Sequence, residues 1–127
     1  MATWTADELS KIGSADELQI APRRQDGSLA PPRTIWVVRH GDDLYVRSVR
    51  GRSSAWFRGT QVRHEGQVEA GGVRKDVSLA DPDTDVSADL DAAYRSKYGR
   101  YAQNVVDSVL SPQARAATLR LAPRTGG

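Results

Sequence analysis

The sequence predicts a mostly β, α+β fold in which an antiparallel sheet is closed on itself or covered on both faces. Two observations support this class. Residues 33–40 and 43–49 form a hairpin around Gly41-Asp42 whose two faces are both substantially apolar, whereas a one-sided sheet would show one polar face. In addition, a helical segment separates the earlier strands from one last strand, which must return to the sheet.

The composition is that of one globular domain spanning residues 1–127. The hydrophobic fraction is 39%, the charged fraction 27% and the net charge +2, all ordinary values. No apolar run approaches the roughly 20 residues of a spanning helix, so no membrane contact is expected. The chain has no cysteine, which excludes disulfides and thiolate catalysis. No signal-peptide core follows Met1, and we expect a cytoplasmic protein.

The N-terminal segment, residues 1–14, is predicted to hold a short helix. Thr5 and Glu8 have the spacing of a capping box, which predicts a helix that ends near Gly13. Leu9 and Ile12 are its expected buried contacts, because they lie on one side of such a helix.

The barrel strands are predicted within residues 15–80. The first covers 16–24, where Leu18 and Ile20 point the same way. In the hairpin that follows, the turn places His40 opposite Asp43 and Trp36 opposite Arg47. The remaining predicted elements follow in order: a helical turn at 55–59, a hairpin arm over 61–70 that turns at Glu65-Gly66, the turn Gly71-Gly72, and a strand at 73–80.

Residues 81–115 are predicted to be helical. Ser87 is expected to cap a helix over 88–98, and a second helix covers 101–110. Ser111-Pro112 is a typical start for one further turn. The segment 116–124 then closes the sheet as its last strand.

No metal site is predicted. Asp81, Asp83 and Asp85 imitate the start of a calcium loop, but the sixth position is Val86 rather than glycine, and the twelfth is not glutamate. The two histidines lack the spacing of a zinc pair. Charge is nevertheless uneven, since the segment 23–75 has eleven basic and five acidic residues.

The strongest chemical signal is the loop that follows the hairpin. Guanidinium groups, hydroxyls and a glycine are the groups that bind a phosphate dianion, and they occur here at Arg47, Ser48, Arg50, Gly51, Arg52, Ser53 and Ser54. Trp36 and Trp56 flank this loop, as suits a planar heterocycle. A solvated basic turn and ordinary core packing of the two tryptophans are the alternatives.

Several stretches, taken in order, resemble one superfamily. They are RRQDG (23–27), TIWVV (34–38), DLYVRS (43–48), GRSSAW (51–56), AAYRSKYGRYAQNVV (92–106) and ATLRLAPR (117–124). Over residues 15–124 this pattern is similar to the FMN-binding split β-barrel superfamily, which includes pyridoxamine-phosphate-oxidase-like proteins and deazaflavin-dependent reductases. The C-terminal stretches are similar to a small bacterial branch of unassigned function.

The resemblance implies a split antiparallel barrel of about six strands, with a helical pair inserted before the last strand. It also implies a homodimer that holds FMN or a deazaflavin between its subunits and acts as a small oxidoreductase on a small-molecule substrate. By position, Arg47, Ser48, Arg52 and Ser53 would contact the cofactor phosphate, with Trp56 close by. Relatives often have lysine in this loop, where this chain has GRSS.

Other assignments remain open at this stage. Trp36, Tyr94, Tyr98 and Tyr101 are candidates for the substrate pocket, with helix packing as the competing role of the tyrosines. The same fold also serves non-redox binding modules and pathway enzymes that use no flavin. Nucleic-acid binding, with Trp36, Tyr45 and Trp56 stacking on bases, ranks below both.

Overall fold

The computed structural model describes residues 3–82 and 85–124. Residues 83 and 84, in the acidic segment that imitates the start of a calcium loop, lie outside this part. The elements in chain order are α1 (Ala6–Gly13), β1 (Leu18–Pro22), β2 (Arg33–Ile35), β3 (Val37–His40), β4 (Asp43–Arg47), a 3-10 turn (Gly51–Ser53), α2 (Ala55–Arg63), β5 (Glu65–Ala70), β6 (Val73–Ala80), α3 (Ser87–Tyr98), α4 (Gln103–Leu110), α5 (Pro112–Ala116) and β7 (Thr118–Pro123). In this part of the chain, no helix has both the length and the apolar character needed to cross a bilayer.

The described strands form one antiparallel sheet in the order β2-β1-β5-β6-β7-β4-β3. Its two edge strands, β2 and β3, are separated in the chain by Trp36 alone. The backbone therefore joins the two edges, and the sheet curves into a nearly closed barrel. This confirms the predicted class, with seven strands in the described residues rather than about six.

The prediction of one continuous strand over 33–40 is wrong. Ile35 pairs with Leu18 of β1, whereas Val37 pairs with Val46 of β4, so the chain changes partner at Trp36. The predicted pairing of His40 with Asp43 is confirmed, but the ladder ends at Val37 and Trp36 has no partner opposite it. A barrel needs this change, because one straight strand cannot lie at both edges of a curved sheet.

The two apolar faces of the hairpin contact two separate cores, as predicted. Val37, Leu44 and Val46 are fully buried in the barrel interior. Val38 and Tyr45 point outward, where they pack against residues of α3 and α4. That outer core is completed by Leu90, Tyr94, Tyr98 and Val109. Both faces are thus removed from water, which is why neither needs to be polar.

Helix α1 matches its prediction. Thr5 Oγ1 accepts a hydrogen bond from the Glu8 amide at 3.1 Å, and Glu8 Oε1 accepts one from the Thr5 amide at 3.0 Å, which completes the capping box. The helix ends at Gly13, and Leu9 and Ile12 are buried in the barrel core.

Helix α2 is longer than the predicted turn at 55–59. It continues to Arg63, because Ser54 caps its first turn and Phe57 is fully buried in the barrel core. The predicted turn at Glu65-Gly66 is also wrong, since His64 ends the helix with a left-handed φ of 57° and β5 begins at Glu65. The turn at 71–72 and the strand at 73–80 are confirmed.

The C-terminal helices differ from their predictions mainly at their first residues. Ser87 begins α3 instead of capping it, and its amide donates to Asp85 Oδ1 at 3.0 Å. Helix α4 begins at Gln103 rather than at 101. Ser111 caps α5 as predicted, with its Oγ accepting from the Ala114 amide at 3.1 Å. Strand β7 then returns between β6 and β4.

Candidate functional site

A groove lies where β2, the loop after β4, the start of α2 and helix α4 meet. Its polar half, the polar cleft, has a volume of about 580 Å³ and is lined by Arg33, Thr34, Ile35, Ser48, Val49, Arg50, Ser53, Ser54, Ala55 and Trp56. Its other half, the apolar pocket, has a volume of about 270 Å³ and is lined by Thr34, Ile35, Trp36, Arg47, Val49, Trp56, Val105, Ser108 and Val109. The two halves share four residues, so they form one continuous groove.

The polar cleft is cationic. Arg33 and Arg50 line it, and its described lining residues include no carboxylate. Neither guanidinium forms a hydrogen bond or an ion pair with another described residue, so both are available to an anion. Thr34, Ser48 and Ser53 add hydroxyl groups. The arrangement therefore favours an anionic group with several oxygens, such as a phosphate.

Hydrogen bonds of two serine side chains hold this loop together. Ser48 Oγ lies 2.7 Å from Ser54 Oγ, which in turn accepts from the Phe57 amide at 3.3 Å and caps α2. The N-terminus of α2 thus faces the cleft and adds partial positive charge. Gly51 is required in this loop, because its φ is +76° and a Cβ there would collide with the Gln113 side chain.

Arg52 does not line this cleft. Its Nη1 donates to the Ala116 carbonyl at 3.1 Å, and its guanidinium lies 5.0 Å from the Phe57 ring centroid. It borders a different cavity, together with Asp81 and Arg115. Of the seven residues predicted for the cofactor, the structure brings together five in the cleft, which are Ser48, Arg50, Ser53, Ser54 and Trp56.

Arg47 borders the apolar pocket, but its side chain is 0% exposed and its donors are used inside the protein. It bonds to four acceptors, namely Thr118 Oγ1 at 3.1 Å, Asp91 Oδ1 at 2.6 Å, the Val109 carbonyl at 2.9 Å and the Ser87 carbonyl at 3.2 Å. Arg47 therefore ties β4 to β7, α3 and α4, a different role from the predicted phosphate contact.

Asp91 is the anion of this buried network. One of its oxygens pairs with Arg47, and the other pairs with Arg115. Burial alone would raise the pKa of the Asp91 carboxyl, but hydrogen bonds and attraction from the two guanidinium groups outweigh it and hold the pKa below its ordinary value. The carboxylate is therefore ionised at neutral pH, and the charge of Arg47 is compensated.

The tyrosines predicted for a substrate pocket lie outside both halves of the groove. Tyr94 and Tyr98 are fully buried between the helices and the sheet, which is the helix-packing role. Tyr101 is 38% exposed and lies beside Trp36. Trp36 alone of these four candidates lines the groove.

Sequence reasoning missed the contributions of β2 and α4 to the groove. Arg33 and Thr34 were assigned to a hairpin strand, and Val105 and Ser108 fell within the predicted helix over 101–110. Arg33 stands in the arginine-rich segment, which was the one available signal. Its proximity to Arg50 depends on the break at Trp36, which periodicity does not reveal.

Neither histidine lines the groove. His40 Nε2 lies 3.6 Å from Asp89 Oδ2, and His64 ends α2. Across residues 3–82 and 85–124, no cluster of three metal-ligating side chains occurs.

The comparisons with known proteins identify the family. A family model described as "Uncharacterized protein conserved in bacteria (DUF2255)" matches residues 8–121. The chain belongs to the DUF2255 family. Among curated proteins, none matches it.

Solved structures with the same fold place this DUF2255 protein among split barrels. HutZ, the heme storage protein of Vibrio cholerae, has a TM-score of 0.64 at 14% identity over 88% of this chain and 84% of its own. An F420 reductase has a TM-score of 0.59 at 13% identity over 92% of this chain and 93% of its own. A FAD-binding protein from Mesorhizobium loti has a TM-score of 0.56 at 17% identity over 97% of this chain and 92% of its own. The predicted split-barrel fold is therefore confirmed, and the printed names of these three neighbours refer to heme, F420 and FAD.

Proposed function

We propose that this DUF2255 protein binds a phosphate-bearing flavin-type cofactor, FMN or a deazaflavin, in the groove and acts as a small oxidoreductase. The observation that carries the proposal is the continuity of a cationic, hydroxyl-lined cleft with an apolar pocket walled by two tryptophans. A flavin mononucleotide has the same two parts, a charged phosphate and a planar ring system.

The polar cleft fits the phosphate. A phosphomonoester carries close to two negative charges at neutral pH, and the guanidinium groups of Arg33 and Arg50 supply two positive ones. Ser53 lies in the same cleft, and its hydroxyl, which donates to the Arg50 carbonyl at 3.3 Å, can turn to donate to a phosphate oxygen instead. The N-terminus of α2 adds favourable electrostatics for an anion.

The apolar pocket fits the ring. Trp36, Trp56 and Val105 form its walls, and the charge of Arg47 is compensated inside the protein. The bound cofactor would supply the electron or hydride transfer, while the protein supplies position and electrostatics. The pocket walls would exclude water from one side of the cofactor ring. Binding of the phosphate in the polar cleft would orient the ring within the pocket.

The lining residues favour a flavin over heme. Heme iron in proteins is held by histidine, cysteine, methionine or tyrosine. The described residues that line the two halves of the groove include none of these four types. A flavin needs no such ligand, so the groove suits the flavin-type neighbours better than the heme-storage one.

The prediction that tests this proposal concerns Arg50. Arg50→Ala removes one charge-assisted hydrogen bond to phosphate, worth about 1.5–3 kcal/mol. FMN affinity should therefore fall roughly ten- to hundredfold. Arg50→Lys should restore only part of it, because an ammonium lacks the forked guanidinium geometry. Calorimetric titration of FMN, and of a phosphorylated deazaflavin, measures the effect.

Two arginine variants serve as controls for that titration. Arg63→Ala should leave affinity unchanged, since Arg63 contacts the Gln25 carbonyl and Glu65 away from the groove. Arg52→Ala should also leave it unchanged if the cleft is the site. If Arg52→Ala weakened cofactor binding and Arg50→Ala did not, the result would favour the phosphate contact by Arg52 that was expected from sequence. If wild type binds neither cofactor, the proposal fails and a non-redox binding module becomes the better reading.

The groove is open on one side, and we propose that a second copy of the chain covers it. Val49 and Val105 remain 46% and 42% exposed at the groove, and covering apolar surface with a symmetric partner is a common solution. Sedimentation equilibrium at micromolar concentration should give a dimer. Val105→Glu should shift it toward monomer, and a monomeric wild type would contradict the proposal.

Nucleic-acid binding has less support. Tyr45 is 5% exposed in the outer core, and one face of the Trp36 ring is covered by Tyr98. Of the three aromatic residues considered for base stacking, one is therefore buried and another has one ring face already covered.

A further inference from the structure

The break between β2 and β3 is fixed from outside the barrel by the last turn of α3. Tyr98 Oη accepts a hydrogen bond from the Val37 amide at 3.2 Å and donates one to the Asp16 carbonyl at 2.7 Å. Lys97 Nζ donates to the Val37 carbonyl at 2.7 Å. Both backbone groups of the residue after Trp36 are thus held by α3.

The side chain of Trp36 is held by the same helix. Its ring is stacked on the Tyr98 ring, with centroids 3.9 Å apart and planes within 2°. Tyr101 approaches at 5.2 Å with a tilt of 45°. Burial raises the pKa of Tyr98 to about 12, so its hydroxyl keeps the proton that it donates to Asp16. The indole is therefore oriented before any ligand arrives.

Trp36 also walls the apolar pocket, where it is only partly buried. The polar side chains of that pocket are engaged within the protein: Ser108 Oγ donates to the Val105 carbonyl at 2.5 Å, Thr34 Oγ1 accepts from Gln19 Nε2 at 2.6 Å, and Arg47 is bound to Asp91. A charged group in the pocket would lose water without gaining a partner. The pocket thus selects an uncharged and apolar ligand part.

We propose that Trp36 is the specificity-determining wall of the apolar pocket, selecting a flat, uncharged fused-ring system, and that Tyr98 is a positioning residue that acts through Trp36. The inference rests on the proposed function, since it names the residue that would face the cofactor ring. A wall already fixed in place loses little conformational freedom on binding. Shape and flatness then decide which rings fit.

The experiment separates the ring from the phosphate. Lumichrome, a flavin ring system with no phosphate, is titrated by fluorescence anisotropy into wild type, Trp36→Leu, Tyr98→Phe, the double variant and Arg50→Ala. Trp36→Leu should weaken lumichrome binding roughly three- to tenfold, the size of a lost aromatic contact. Trp36→Phe, which keeps a flat ring, should recover most of it. Arg50→Ala should weaken FMN binding but leave lumichrome unchanged.

Tyr98 is tested by the double-mutant cycle. Tyr98→Phe keeps the ring and removes the hydroxyl, so it should weaken lumichrome binding, and in the Trp36→Leu background it should have no further effect. Additive losses would show that Tyr98 does not act through Trp36. Melting curves check that each variant is folded, and Trp36→Met, which also removes the flat ring, replaces Trp36→Leu as the test if Trp36→Leu is not folded.

The outcomes distinguish the two proposals. Equal lumichrome affinity of wild type and Trp36→Leu, or no lumichrome binding by wild type, overturns the inference, while FMN binding that depends on Arg50 would still support the proposed function. Conversely, Trp36-dependent lumichrome binding with no FMN binding would uphold the ring pocket and overturn the phosphate-bearing cofactor.

Discussion

A chain that ends at Leu110 is expected to lose cooperative folding. The truncation removes β7, which lies inside the sheet and pairs with both β4 and β6. It also removes Leu119 and Leu121, which are fully buried. Each such side chain contributes about 1.5–3 kcal/mol, against a total stability of roughly 5–15 kcal/mol for a domain. Far-ultraviolet circular dichroism should show an unfolded or aggregated chain.

A second truncation serves as the control. Ending the chain at Arg124 leaves β7 and every other described residue in place, so this variant should melt as cooperatively as the full chain. If the chain ending at Leu110 melted with the same cooperativity, β7 could not be an interior strand of the sheet, and the topology described above would be incorrect.

Replacing Arg47 with alanine is expected to produce the largest loss of stability among the point variants. The substitution leaves Asp91, whose side chain is 3% exposed, without its buried partner. It also frees the Val109 and Ser87 carbonyls, which join α4 and α3 to the barrel. Removing one member of a buried ion pair costs about 3–5 kcal/mol. The melting temperature should therefore fall by roughly 10–20 °C, as measured by thermal and urea unfolding.

Two further variants show whether burial causes that loss. Arg74→Ala breaks an ion pair with Glu69 at the surface, where the arginine side chain is 65% exposed, and should change stability by less than about 0.5 kcal/mol. The double variant Arg47→Met/Asp91→Leu should lose less stability than Arg47→Ala does, because it leaves no unpaired charge in the core. A melting temperature for Arg47→Ala close to that of Arg74→Ala would refute the structural role of this network.

Local patterns were sufficient wherever neighbouring residues determine the structure. The capping box at Thr5, the start of α5 at Ser111 and the strand over 73–80 were all predicted, because caps, turns and alternation depend on residues a few positions apart. Helix α2 was underestimated for a related reason. Its sequence has a weak helical pattern, and it is stabilised by the burial of Phe57 in the barrel core.

The candidate site also has a part that local sequence predicted and a part that it did not. The loop from Ser48 to Ser54 was found from sequence, since the serines and the arginine of this loop that line the cleft lie close together in the chain. The directions in which the arginine side chains point could not be found from sequence. Arg47, Arg50 and Arg52 have the same side chain, yet they point into the protein, into the cleft and toward Ala116.

By itself, the sequence determined that this chain has a two-faced hairpin, a loop rich in arginine and serine, and a final strand that returns after the helices. Only the tertiary structure decided that the chain changes partner at Trp36 and that Arg33 joins Arg50 in one cleft. The physical reason is the closure of the sheet. The edge strands meet because of the curvature of all seven described strands together. A short stretch of sequence therefore does not predict which edges meet.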